Sequence, residues 1–156
     1  MEKKIRVMSI LSLAACGLAF LLLLLCVLLQ RWLLPVFYPG VIEELSFVFP
    51  WGAFLYCLGL LCTSLILLLG SANLRIGPWL EILCIVAGGV LPGVMNRVAS
   101  LLQTYFAGQY GSVHIATLTA MNSLAGFPLG VAQLGFVLLL VTCGMSIAYK
   151  NIIKSR

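Results

Sequence analysis

The amino-acid sequence predicts an all-α integral membrane protein with four transmembrane helices, and three observations lead to this fold class. First, 63% of the 156 residues are hydrophobic and only 8% are charged, whereas soluble domains have about 45–50% apolar and about 25% charged residues. Second, the apolar residues form long uncharged runs. Third, the positive charges gather at the ends of those runs. So few charged side chains cannot cover a water-exposed surface, which excludes a soluble enzyme.

The first predicted span covers residues 7–29, which carry no charge. A helix needs about 20 residues to cross about 30 Å of hydrocarbon, so this run is long enough. It is also longer than the about 7–15 apolar residues of a cleavable signal peptide. Residues 13–16 (Leu-Ala-Ala-Cys) match a bacterial lipobox, which leaves lipidation of Cys16 as an alternative. Because apolar residues rather than a polar tether follow Cys16, the sequence favours an intact helix.

An outer loop is predicted over residues 30–50, which contain three prolines as well as Glu43 and Glu44. Proline interrupts helices, and the aromatic residues of this segment suit the bilayer interface. We therefore expect the loop to lie along the membrane surface. The second span is predicted over residues 51–69, and it ends at a Gly-Ser-Ala-Asn sequence that favours a helix stop.

The third span is predicted over residues 79–102 and the fourth over residues 128–149. Residues 103–125 are predicted to form an outer helical extension, with a short turn at 107–111 that makes the two helices antiparallel. Proline and glycine at 126–128 leave two alternatives for the fourth helix: one long helix, or a helix broken at this point. All four spans belong to a single membrane domain of residues 1–156.

The distribution of lysine and arginine predicts the orientation. Seven of the nine fall on one side of the predicted membrane, and cytoplasmic flanks are enriched in such residues. Both termini are therefore expected in the cytoplasm, with the chain as a multi-pass protein of the cell membrane. The seven residues are Lys3, Lys4, Arg6, Arg75, Lys150, Lys154 and Arg156.

Polar residues of the outer half of the third helix fall on one face. At 100° per residue, a 120° arc holds all of them; these are Asn96, Arg97, Ser100, Gln103 and Thr104. A second stripe, on residues 112–125, is formed by Thr119, Asn122 and Ser123. Two polar stripes on antiparallel neighbours are expected to face each other, which predicts a polar cavity near the outer surface.

Arg97 allows two interpretations. In the first, it anchors the outer interface by extending its side chain to the headgroups, or it pairs with Glu43 or Glu44 on the same side. In the second, it lines the cavity and binds an anionic group or a lipid headgroup. The sequence favours the first interpretation and leaves the second open.

Other features indicate packing rather than chemistry. The G-x-x-x-G sequences at 89–93 and 126–130 predict contact faces between helices, and Pro92 predicts a kink. Glu81 is expected to be stabilised by the N-terminus of the third helix, with Arg75 close in sequence. His114 is the only histidine, and the six cysteines all fall within predicted spans, so neither a metal site nor a redox site is expected.

These observations favour a non-enzymatic subunit or accessory component that binds lipid or another membrane protein, including a second copy of itself. No cofactor and no nucleic-acid partner is expected. The alternative is a small oligomeric channel or transporter with a polar outer cavity around Arg97. An enzyme is the weakest hypothesis, because the acidic residues lie on opposite sides of the bilayer and have no nucleophile or metal partner.

Overall fold

The protein is described by a computed structural model that covers residues 2–37, 51–72, 76–110 and 112–155. This part of the chain is helical and contains no strand. Its elements, in chain order, are α1 (Glu2–Phe37), α2 (Trp51–Ala72), α3 (Pro78–Ile85), a π-helical turn (Val86–Val90), α4 (Leu91–Tyr110) and α5 (Ser112–Lys154).

Four helical stretches are long and apolar enough to cross a membrane: Glu2–Leu29, Trp51–Gly70, Pro78–Leu102 and Ala125–Lys154. The third of these joins α3, the π-helical turn and α4, and the fourth is part of α5. The all-α class and the four candidate spans are therefore confirmed.

The spans pack as an antiparallel bundle. α1 lies against α2 and α5, and the third span also lies against α2 and α5. α1 and α5 pack closely at Gly135, where an added Cβ would lie 2.7 Å from Cys16 Sγ. Cys16, Leu23, Leu60 and Leu139 form part of the buried core. We call the end of the bundle that carries both chain termini the terminal end, and the opposite end, where α4 and α5 meet, the hairpin end.

Two boundaries differ from those predicted. α1 continues through Pro35 to Phe37, past the predicted start of the loop at residue 30. α4 continues to Tyr110, so residues 107–110 are helical and do not form the predicted turn. A glycine inside a helix lowers the stability of the helix by only about 1 kcal/mol relative to alanine. This loss is too small to end a helix that continues on both sides of the glycine.

α5 is one continuous helix from Ser112 to Lys154, with Pro128 inside it. Of the two alternatives for this segment, the structure has the single long helix. Helices in membranes tolerate internal proline where neighbouring helices surround it, and Pro128 is fully buried.

The third span contains an irregularity at Val86–Val90, where the backbone forms a π-helical turn. The N–H of Leu91 donates to the carbonyl of Val86, five residues earlier. Pro92 follows at once and has no N–H to donate to Gly88, four residues before it. The helix therefore departs from regular α geometry just before Pro92, the residue at which the sequence predicts a kink.

The π-helical turn packs closely against α2. A Cβ on Gly59 would overlap the Gly88 carbonyl oxygen, and a Cβ on Gly88 would overlap Thr63 Oγ1. Thr63 Oγ1 also donates a 3.2 Å hydrogen bond to the carbonyl of Cys84. Small residues allow such close backbone approach in membrane proteins. The contact fixes the middle of the third span. A polar region lies between this contact and the terminal end, and a cavity lies between the contact and the hairpin end.

Candidate functional site

A cavity of about 700 Å³ lies between α2, α4 and α5 toward the hairpin end. This volume is within the range of about 300–1,000 Å³ that is typical of ligand pockets. On α4 and the preceding turn the lining runs from Gly89 to Ser100, which is about 16 Å along the axis at 1.5 Å per residue. The lining residues are Gly52, Ala53, Tyr56, Gly89, Val90, Gly93, Val94, Asn96, Arg97, Ala99, Ser100, Ala125, Gly126, Leu129, Gly130, Gln133 and Phe136.

Glycines create much of this space. A Cβ on Gly126 or Gly130 would have nothing within 4 Å among the described residues. Among the described residues Gly126 and Gly130 form a wall of the cavity, and the helix contact face predicted for residues 126–130 stays a prediction. The other glycine pair behaves differently, since a Cβ on Gly89 would lie 2.6 Å from the Phe136 ring and one on Gly93 would lie 3.2 Å from the Tyr56 ring.

Three of the residues singled out in the sequence, Asn96, Arg97 and Ser100, lie along one wall of the cavity. Asn96 is also a packing residue, because a Cβ on Gly52 would lie 2.8 Å from its Oδ1. The Ser100 hydroxyl donates a 2.8 Å hydrogen bond to the Arg97 carbonyl. Arg97 is exposed. The one ion pair among the described residues involves other groups, so within that part of the chain Arg97 has no carboxylate partner.

The remaining predicted site residues lie outside what the structure describes. Glu43 and Glu44 fall in 38–50, and their predicted pairing with Arg97 stays a prediction. The backbone is helical at five further positions whose side chains are outside the described set: Gln103, Thr104, Thr119, Asn122 and Ser123. The facing of the two polar stripes therefore stays a prediction.

Gln133 of α5 is among the cavity residues that sequence analysis missed. It lines the cavity and is exposed. A signal was present, since Gln133 is the only amide side chain between residue 124 and the end of α5 apart from Asn151. An isolated amide in an apolar helix is unusual because burying it without a hydrogen bond costs free energy.

The cavity opens between α4 and α5. Arg97 and Val94 on α4 are exposed, as are Gly126, Gly130 and Gln133 on α5. Among the described lining residues, Gly52, Ala53 and Tyr56 belong to α2 and none belongs to α1. In this part of the chain the exposed lining residues therefore place a lateral opening between α4 and α5.

A second polar site lies at the terminal end of the same two spans. Glu81, in the first turn of α3, is completely buried. Its Oε1 accepts a 2.6 Å bond from Lys150 Nζ and a 2.9 Å bond from Ser146 Oγ, both on α5. Lys150 Nζ also donates to the carbonyl of Ile76, just before α3. Within the described residues, Glu81 Oε2 has no hydrogen-bond partner.

The sequence offered a signal for this ion pair as well. Thr142, Ser146 and Lys150 recur every four residues, which places them on one face of α5, and Thr142 and Ser146 are buried. The charge distribution alone indicates Lys150 only as a cation of the cytoplasmic flank, and it indicates Glu81 as a residue of the helix N-terminus near Arg75. The structure pairs Glu81 with Lys150 instead, and Arg75 lies outside the described residues.

The chemistry available at the two sites is hydrogen bonding and charge pairing. Among the described residues, no three His, Cys, Asp or Glu side chains lie close enough to hold a metal ion. The cysteines in this part of the chain are free thiols. No protein-family model, curated protein or solved structure matches the chain.

Proposed function

We propose that the protein is a non-enzymatic component of the cell membrane that binds a lipid in the cavity between α4 and α5. One observation carries the proposal: the cavity of about 700 Å³ opens sideways between two spans, and a cationic side chain lies near one end of it. A lateral opening gives access from the bilayer, where lipid is the most abundant small molecule. Apolar walls with a few polar groups are typical of sites for small ligands.

The orientation forms part of the proposal. The excess of lysine and arginine at the terminal end favours a cytoplasmic location for both termini. The hairpin end then faces the outside, and the lipid would enter from the outer leaflet. Arg97 lies five residues inside the end of the third span at Leu102, which is about 7–8 Å. An arginine at this depth can extend its side chain to the headgroup layer.

The test compares two leucine substitutions on α5. Gly130→Leu fills the cavity, whereas Gly144→Leu adds the same side chain at another glycine whose Cβ would also have nothing within 4 Å. Each variant is purified in a mild detergent, and the retained lipid is measured by native mass spectrometry. We expect the wild type and Gly144→Leu to retain lipid and Gly130→Leu to lose it. Equal retention by all three proteins would contradict the proposal.

A transporter is the second candidate, and the buried Glu81–Lys150 pair favours it. Buried ionisable groups in membrane spans often mark ion or substrate pathways, and this pair joins the third and fourth spans, which both line the cavity. The π-helical turn between the two sites is of a kind that occurs frequently at functional sites. The test of this candidate is solute flux across the membrane of vesicles that contain the purified protein. Loss of this flux in a folded Arg97→Leu variant would support transport.

A protein partner is a further possible occupant of the cavity. A transmembrane helix of another protein, or of a second copy, could pack against the exposed glycines of α5. The same purification tests this, because a helix partner would co-purify as protein and Gly130→Leu would remove it. Co-purified protein without lipid would replace the lipid proposal with this one.

A further inference from the structure

Arg97 and Gln133 occupy different depths of the cavity. Gly89 lies against the Phe136 ring, which aligns the two walls at that level. Arg97 is eight residues from Gly89 toward the hairpin end, or about 12 Å, and Gln133 is three residues from Phe136 in the same direction, or about 4–5 Å. Gln133 therefore lies about 7 Å deeper in the bundle than Arg97.

The two side chains offer complementary chemistry. A guanidinium group presents a fork of N–H donors that matches the oxygen atoms of a phosphate. The Gln133 amide provides two N–H donors and one acceptor. At 1.5 Å per residue, Gly93 and Gly130 lie between the levels of Arg97 and Gln133. Below Gln133 the walls are apolar and are formed by Gly89 and the Phe136 ring.

We infer that the cavity binds a glycerophospholipid at two points, with Arg97 on the phosphate and Gln133 on an acyl ester carbonyl. This inference rests on the proposed function and names the ligand class. In such a lipid the ester carbonyls lie next to the glycerol, between the phosphate and the hydrocarbon chains. The order of the phosphate and the ester carbonyls along the lipid is thus the order of Arg97 and Gln133 along the cavity. The exposed cation selects for the phosphate by charge complementarity.

The experiment uses probes that each lack one recognised group. Diacyl phosphatidylglycerol contains both a phosphate and ester carbonyls. Its dialkyl ether analogue has the phosphate but no carbonyl, diacylglycerol has the carbonyls but no phosphate, and inorganic phosphate has no chains. Binding of each probe to the full-length protein is measured in detergent micelles of an uncharged surfactant.

Arg97→Gln tests the phosphate contact. The substitution should weaken the binding of both phosphatidylglycerols by about tenfold or more, because charge-assisted hydrogen bonds are stronger than neutral ones. The binding of diacylglycerol should not change. Arg97→Lys keeps the positive charge but lacks the forked N–H donors of the guanidinium group. It should retain part of the preference for lipids that contain a phosphate. Lys154→Gln removes one positive charge from an exposed residue at the terminal end and should change none of these affinities.

Gln133→Leu tests the carbonyl contact. The substitution should weaken the binding of diacyl phosphatidylglycerol and of diacylglycerol by about threefold to tenfold, which is the effect of one neutral hydrogen bond. The binding of the dialkyl analogue should not change. Equal weakening of the diacyl and dialkyl lipids would overturn this contact. Thermal unfolding of each variant separates a change in binding from a loss of folding.

The outcomes distinguish the inference from the proposed function. If lipids bind and Gly130→Leu prevents it, but neither Arg97→Gln nor Gln133→Leu discriminates among the probes, the inference is wrong and the proposed function stands. If no lipid binds and Gly130→Leu has no effect, both are wrong. Competition by inorganic phosphate at a concentration similar to that of the lipid would identify the site as one for a free anion and overturn the lipid ligand.

Discussion

The third and fourth spans meet at both ends of the bundle, but the two meetings have opposite character. At the terminal end Glu81 is buried, and Ser146 and Lys150 of the neighbouring helix bond to one of its oxygens. At the hairpin end Arg97 is exposed beside a cavity. The polar residues alone do not produce this difference. Glycine produces it, since Gly126 and Gly130 leave open the volume that side chains fill elsewhere.

The comparison indicates which end holds the bundle together and which end is available to a ligand. A buried ion pair contributes little net stability relative to well-packed apolar residues, but removing one partner leaves an uncompensated charge. The terminal end should therefore respond strongly to substitution. The cavity should tolerate substitution with little change in stability, while its occupancy by lipid should change. The following predictions test this contrast, beginning with the largest effect.

Lys150→Met should cause the largest loss of stability, about 3–5 kcal/mol, because it leaves the buried Glu81 carboxylate without its cation. Lys154→Met is the matched control, since Lys154 is exposed on the last turn of α5, and it should change stability little. The free energy of unfolding in detergent, measured with a chemical denaturant, provides the comparison. Equal losses in both variants would show that the ion pair is not the cause.

The double variant Glu81→Met with Lys150→Met sharpens this prediction. Replacing both partners of a buried ion pair with apolar residues of similar volume is often neutral or stabilising. The double variant should therefore recover most of the stability that Lys150→Met loses. A double variant as unstable as Lys150→Met alone would mean that the lysine stem, rather than its charge, supports α5.

Gly59→Ala should have the next largest effect, a loss of about 1–3 kcal/mol, because the added methyl group overlaps the Gly88 carbonyl where α2 meets the π-helical turn. Gly144→Ala makes the same chemical change where nothing lies within 4 Å. The control should be neutral or slightly stabilising, since alanine favours helix more than glycine does. Thermal unfolding of the two variants tests the contrast, and similar shifts would contradict the close contact.

Ser146→Ala should have a smaller effect, a loss of about 0.6–2 kcal/mol, which is the range for hydrogen bonds between membrane helices. It removes the 2.9 Å bond to Glu81 Oε1 but leaves the ion pair in place. Ser155→Ala removes a bond within one exposed helix turn, from Ser155 Oγ to the carbonyl of Ile152. That control should be close to neutral. A larger loss for Ser155→Ala than for Ser146→Ala would contradict the assignment.

The sequence was sufficient for the features that depend on hydrophobic length and helical period. Uncharged runs predict the four spans, and a 100° rotation per residue places Asn96, Arg97 and Ser100 on the face that lines the cavity. The pairing of Glu81 with Lys150 was not predicted, because it depends on which helices are neighbours and on their relative register. Neither quantity is encoded in the periodicity of one segment. The same reason explains why Gln133 was overlooked.

The glycine pairs show why a motif has different consequences in different places. Both pairs have G-x-x-x-G spacing, which allows close packing if a neighbouring helix is present. Gly89 meets Phe136 in this way, but the Gly126 and Gly130 wall faces the cavity. Spacing thus specifies what a helix face permits, while the tertiary arrangement decides whether another helix occupies it.

Gly130→Ala should have the smallest effect on stability and the opposite sign to that of Gly59→Ala. Its methyl group meets nothing within 4 Å, so the change should stabilise α5 by up to about 1 kcal/mol through the better helix propensity of alanine. The measurement is the free energy of unfolding of lipid-stripped protein, beside that of Gly144→Ala. A destabilisation above about 1 kcal/mol, absent in the control, would mean that α4 and α5 close against each other at this position. Since a closed groove has no room for a ligand, that result would remove the basis for lipid binding there.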